Sequence, residues 1–254
     1  MDIKRNLKPG ILLFTLGVLG IVSLMPVIAQ LISLQSEPLP MPLIAIQLIS
    51  TVQSSVLLLI MLVLGFIFSQ KVDLKAPVIF AFVESKNVLS ALKPQLKPSI
   101  IGGVAGGVLI LLFYALMHPY LPAEFLSSAE QLVLPWYSKL LYGGITEELL
   151  LRWGLMSFIV WLSYRFTQPK GADIGTHNYV LAIILSALIF GIAHLPVAFA
   201  LSSEITVPLI SYIILGNAGF GFIAGFLFWK KGLECAILAH MVAHLTMIMA
   251  TVLM

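Results

Sequence analysis

Seven stretches of this 254-residue chain are apolar and long, near positions 10–34, 43–69, 99–118, 136–164, 178–200, 207–229 and 233–253. A helix needs about 20 mostly apolar residues to cross the hydrocarbon of a bilayer. Lipid offers no partner for backbone N–H and C=O groups, so a chain immersed in it must be helical or a closed β-barrel. Alternation at period two is absent here, which excludes the barrel. The fold class is therefore all-α: a polytopic transmembrane helical bundle with about seven membrane spans. Composition agrees, at 60% hydrophobic and 10% charged residues. Soluble domains hold about 45–50% and about 25%. The net charge of +3 is too small to suggest a nucleic-acid partner. The lone cysteine, Cys235, excludes an internal disulfide and reads as a small packing residue.

Basic residues set the direction of the spans. Lys4, Arg5 and Lys8 precede the first. Lys71, Lys75, Lys86, Lys93 and Lys97 lie between the second and third, Arg165 and Lys170 follow the fourth, and Lys230 and Lys231 separate the last two. The opposite loops, around Glu37, Glu124, Glu130 and Glu204, carry acids instead. Twelve of the fourteen Lys and Arg residues thus fall on one side, which puts the N-terminus in the cytoplasm and the C-terminus outside. The basic start resembles a signal peptide, but a run from Ile11 to Leu34 outlasts the about 7–15 residues of a signal core. It reads as a retained anchor. The segment from Val72 to Lys97 is either an amphipathic helix on the cytoplasmic surface or a solvated connector. Pro38, Pro40 and Pro42 mark an extended outer turn. Gly102-xxx-Gly106, Gly103-xxx-Gly107 and Gly221-xxx-Gly225 allow close helix packing.

Against this background, ionisable residues inside the apolar runs are costly and point to function. The fourth run holds Glu147-Glu148-Leu-Leu-Leu-Arg152. Glu148 and Arg152, four apart, share a helix face and can pair. At an α-helical period Glu147 points about 100° away from Glu148 and is free to face something else. The fifth run holds Phe190-Gly-Ile-Ala-His194-Leu-Pro196, where Pro196 demands a kink or a helix end. The seventh holds His240-Met-Val-Ala-His244, both imidazoles on one face. His118 and His177 lie in or near loops and are given no role.

Two chemistries remain open for these residues. In the first, Glu147 is a general base that takes a proton from water, His194 positions that water, and His240 and His244 stabilise an oxyanion. In the second, Glu147, His194, His240 and His244 bind zinc and Glu148 is the base. On the residues alone both stay open.

These residues together resemble the motifs of a known family. Glu147-Glu148-xxx-Arg152 matches EExxxR, Phe190-xxx-His194 matches FxxxH, and His240-xxx-His244 resembles HxxxN, with His at 244 where Asn is commoner. Their order, on three different runs in the later half, is that of the CPBP intramembrane proteases, also called the Abi or type II CAAX prenyl endopeptidase family. The resemblance covers roughly residues 130–254. It implies residues 99–254 as a catalytic membrane bundle, residues 1–98 as N-terminal spans with a cytoplasmic loop, and one compact unit overall. It also implies an intramembrane endopeptidase acting on a membrane-associated protein or peptide, lipidated or not, with Glu147 activating water and Glu148, Arg152, His194, His240 and His244 completing the site, with no metal or other cofactor and with zinc as the alternative. Bacterial and archaeal members suit a prokaryotic plasma membrane. Two rivals stay open: a non-catalytic immunity or scaffold protein, and a proton or ion transporter. Oligomeric state is not legible.

Overall fold

The computed structural model describes residues 3–34 and 41–253. Glu37, Pro38 and Pro40 of the expected outer turn lie outside the described residues. Among the described residues there is no strand. In chain order the helices are α1 (Ile3–Ser23), α2 (Met25–Ser33), α3 (Leu43–Phe68), α4 (Pro77–Val83), α5 (Val88–Met117), α6 (Ala123–Gln131) and the single turn α7 (Trp136–Ser138). A π-helical rod follows over Lys139–Glu147 and Leu149–Met156, and then α8 (Ser157–Thr167), α9 (Thr176–Ala193), α10 (Leu195–Leu201), α11 (Val207–Lys231) and α12 (Leu233–Leu253).

Among the described residues six segments are long and apolar enough to cross a membrane: Arg5–Ser33, Leu43–Lys71, Val88–Tyr120, Thr176–Leu201, Val207–Lys231 and Leu233–Val252. Each matches one of the seven apolar runs. The seventh run, 136–164, is the rod with α8, and its charged residues set it apart from the other six. The third span starts earlier than its hydropathy suggests. Lys93, Pro94, Lys97 and Pro98 belong to α5, whose first turn is capped by Asn87 accepting from Ser90 N–H at 3.1 Å. Pro98 leaves unused the carbonyl of Pro94, one turn back, so the helix continues through both. The segment from Val72 to Lys97 is thus the short helix α4 followed by the first turns of α5.

Large apolar side chains face outward along the spans, as in Val52, Leu59, Ile101 and Leu112. Small and polar residues face inward, the arrangement expected where lipid is as apolar as leucine and helices associate through close packing. α5 shows why its glycines are doubled. A side chain on Gly103 would collide with Ala239 and Val242 of α12, and one on Gly106 with Phe220 of α11. The two overlapping glycine pairs therefore serve two different neighbours.

The rod sits at the centre. α1 and α3 pack along one side, and α9, α11 and α12 along the other. Its position is fixed by polar bonds as well as packing. Ser138 donates to Ser23 O at 2.6 Å and Thr146 to Gly17 O at 2.9 Å, both on α1. The core around it joins Leu58, Leu62 and Phe66 of α3 with Trp153 and Met156 of the rod and Phe228 of α11.

Candidate active site

The rod carries the acids. Its backbone bonds span five residues rather than four, a geometry that is rare and concentrated at functional sites. Glu147 and Glu148, successive residues of the rod, both approach the same histidine, His240. Glycine makes the approach of α12 possible. A side chain on Gly143 would overlap the His244 imidazole, and one on Gly144 would meet Met241.

Glu148 and Arg152 are fully buried and form an ion pair, Oε2 to Nε at 3.3 Å. Burial of a charge is tolerable only with compensation. Arg152 also donates through Nη2 to the Gly221 carbonyl of α11 at 3.1 Å, and its guanidinium lies over the Phe190 ring at 5.2 Å. Glu148 accepts from His240 at 2.9 Å. A carboxylate only accepts, so Nδ1 of His240 carries the proton. Glu148 is thus the joint between the rod and α12.

His194 sits where α9 ends and α10 begins, because Pro196 lies in the first turn of α10 and interrupts the ladder. The break expected at Pro196 is therefore what presents the imidazole. Nδ1 of His194 donates to the Phe190 carbonyl at 2.9 Å. That bond aims Nε2 at Glu147, 3.7 Å from Oε1. On the other side, Nε2 of His240 lies 3.9 Å from Glu147 Oε2. Both gaps are too long for a direct hydrogen bond and suit a bridging water.

His244 stacks on His240, ring centres 4.9 Å apart and planes at 14°. It is paired with neither glutamate. Glu147, Glu148, Arg152, His194 and His240 are thus gathered in direct reach of one another, and His244 joins through the stack. Among the described residues no group of three or more His, Cys, Asp or Glu side chains is arranged to hold a metal ion.

Aromatic rings wall the site. Phe190 stands edge-on to His194 at 4.8 Å and to His240 at 6.0 Å, and Phe220 lies 4.4 Å from His240. Phe220, Asn217 and Gly143 were not singled out by the sequence. For Asn217 a signal existed, an amide in an apolar span. For Phe220 there was none, since a phenylalanine in a membrane helix is ordinary.

Searches among curated proteins and among solved structures gave no match. Residues 129–246 match the model of the type II CAAX prenyl endopeptidase Rce1-like family, a segment that contains every motif side chain described above. The match supports the resemblance carried by the three motifs: over that segment the chain is similar to this family.

Proposed function

We propose that this protein is an integral-membrane endopeptidase that cleaves a membrane-associated protein or peptide with water activated by Glu147. The observation that carries the reading is the pair of gaps around Glu147, 3.7 Å to His194 and 3.9 Å to His240. With its Nδ1 proton given to Phe190, neutral His194 presents Nε2 as an acceptor. A carboxylate is also an acceptor, so these two atoms cannot bond each other but can share the two protons of one water. That water then has its lone pairs turned outward for attack.

Glu147 takes a proton as the water oxygen bonds to the substrate carbonyl carbon. The same proton passes to the leaving nitrogen as the C–N bond breaks, which yields a carboxylic acid and an amine; the acid then gives its remaining proton to the amine, leaving a carboxylate and an ammonium group. The carbonyl oxygen becomes an oxyanion during attack. His244, with no hydrogen bond to protein among the described residues, supplies an N–H to it. His240 supplies a second from Nε2 when both its ring nitrogens carry protons. Arg152 neutralises Glu148 and keeps that carboxylate from competing for the water's protons. No step requires a metal.

The test is cleavage in proteoliposomes of a substrate confirmed for the wild-type protein. Positioned general bases contribute about 10²–10⁴-fold, and Glu147→Gln is expected to lose activity in that range while still inserting and folding. Chelators are expected to leave the wild-type rate unchanged. Wild-type rates from Glu147→Gln or His194→Ala would remove that residue from the mechanism. Ion flux from the same vesicles without cleavage would favour the transporter reading, and partner binding without cleavage the scaffold.

A further inference from the structure

A cavity of about 220 Å³ adjoins the site and plays no part in the chemistry above. It lies between α10, α11, α6 and the segment that follows α6. His194 is in its wall, together with Asn217, Tyr212, Ala198, Leu201 and Leu132. The His194 side chain is 32% exposed, against 13% for Glu147 and 6% for His240. Of these three His194 is the most open, and the cavity begins there.

Its walls are mostly apolar, with His194, Tyr212 and Asn217 as the polar members, which favours an apolar occupant over water. Its size also limits the occupant. Pockets for drug-sized ligands measure about 300–1,000 Å³, and this one is smaller, which fits one bulky side chain better than a long acyl or isoprenoid chain. The NH2 of Asn217 donates to Ile213 O at 2.8 Å within α11, and its side-chain oxygen has no protein partner among the described residues. That oxygen is suited to accept from a peptide N–H.

The roof is a separate piece. α6 is tied to the start of the α10–α11 connection by Glu124, which accepts from Ser203 N–H at 2.9 Å and Ser203 O–H at 2.7 Å. The segment after α6 is held by Gln30 of α2, which accepts from Val133 N–H at 2.9 Å and donates to Val133 O at 3.0 Å. This two-bond clasp fixes Leu132 and Leu134 over the cavity.

We propose that the cavity is the subsite for one bulky apolar side chain of the substrate, next to the bond that is cut, with α6 as its roof and Asn217 holding the substrate backbone. The proposal rests on the endopeptidase reading. Its first test is selectivity: quenched-fluorescence peptides in proteoliposomes, identical except for one position carrying Gly, Ala, Leu or Phe. Hydrophobic pockets discriminate by roughly 10–200-fold per step in size. Ala198→Phe, which fills the cavity, is expected to lower the Phe-to-Gly ratio of kcat/KM at least tenfold. Leu201→Ala, which enlarges it, is expected to raise that ratio. Unchanged ratios in both variants overturn the subsite, whereas absence of cleavage by the wild-type protein counts against the endopeptidase instead.

A second test needs no turnover. A peptide carrying a photoreactive phenylalanine at the scanned position is crosslinked to the Glu147→Gln protein. Adducts at Leu132, Leu201 or Tyr212 are expected. Adducts only elsewhere, or labelling of these residues by a photoactivatable fatty acid that excess peptide does not displace, overturn the proposal.

Discussion

Glu148 and Arg152 show how a costly residue becomes affordable. Each is without solvent contact, and each meets partners from a different helix: His240 of α12 for the acid, Gly221 and Phe190 of α11 and α9 for the base. Removing one member of such a pair leaves the other charge buried alone, at a cost of about 3–5 kcal/mol. We expect Glu148→Ala to lower the thermal midpoint in detergent sharply and Glu147→Gln to change it little, because Glu147 has no direct partner to strand. Equal destabilisation by the two substitutions would contradict the division of labour between them. Pairing Glu148→Gln with Arg152→Met is expected to restore part of the lost stability while activity stays low, since His240 then has no anion to orient it.

Two elements do the positioning. The π-helical rod places both acids toward α12, and Gly143 lets the His244 ring lie against its backbone. Displacing a catalytic group by about 1 Å can cost about 10²-fold in rate. Gly143→Ala is expected to reduce kcat by tenfold or more in the cleavage assay, whereas Gly10→Ala, whose added carbon meets only ordinary contact with Phe66 at 3.5 Å, is expected to retain the wild-type rate. The second element is α6. Hydrogen bonds from Ser203 hold the Glu124 carboxyl below its ordinary value of 4.5. A depressed value means that the carboxylate's hold on the α10–α11 connection is complete above the ordinary value and is lost as the pH falls through the lower, folded one. Protection from hydrogen exchange across Ala123–Gln131, taken relative to the intrinsic amide rate at each pH, is therefore expected to fall as a sample is acidified below about 4.5, the ordinary carboxyl value. Glu124→Gln is expected to show the weaker protection already at neutral pH. Exchange that ignores both changes would mean that α6 is held by its apolar contacts alone.

At the scale of the whole molecule, the distribution of basic residues gives a topology to test. A fluorescent-protein fusion at the N-terminus is expected to fluoresce in cells, and a phosphatase fusion at the C-terminus to be active outside the cytoplasm; the reverse pattern would invert the orientation. The chain's own letters determined the number and position of the spans almost completely, because hydrocarbon rejects charge and the apolar runs are set by that rule alone. They also named the six polar residues of the site, since a glutamate or histidine in lipid is conspicuous wherever it sits. The clasp between Gln30 and Val133, the tether from Glu124 to Ser203 and the cavity beside His194 were decided only by tertiary structure. These join residues 103 and 79 positions apart, and no local pattern records such distances. The same holds for the π-helical form of the rod and for the meeting of Glu147 and Glu148 at one histidine, since the rod's place against α1, α3 and α12 is a matter of packing that no local pattern records.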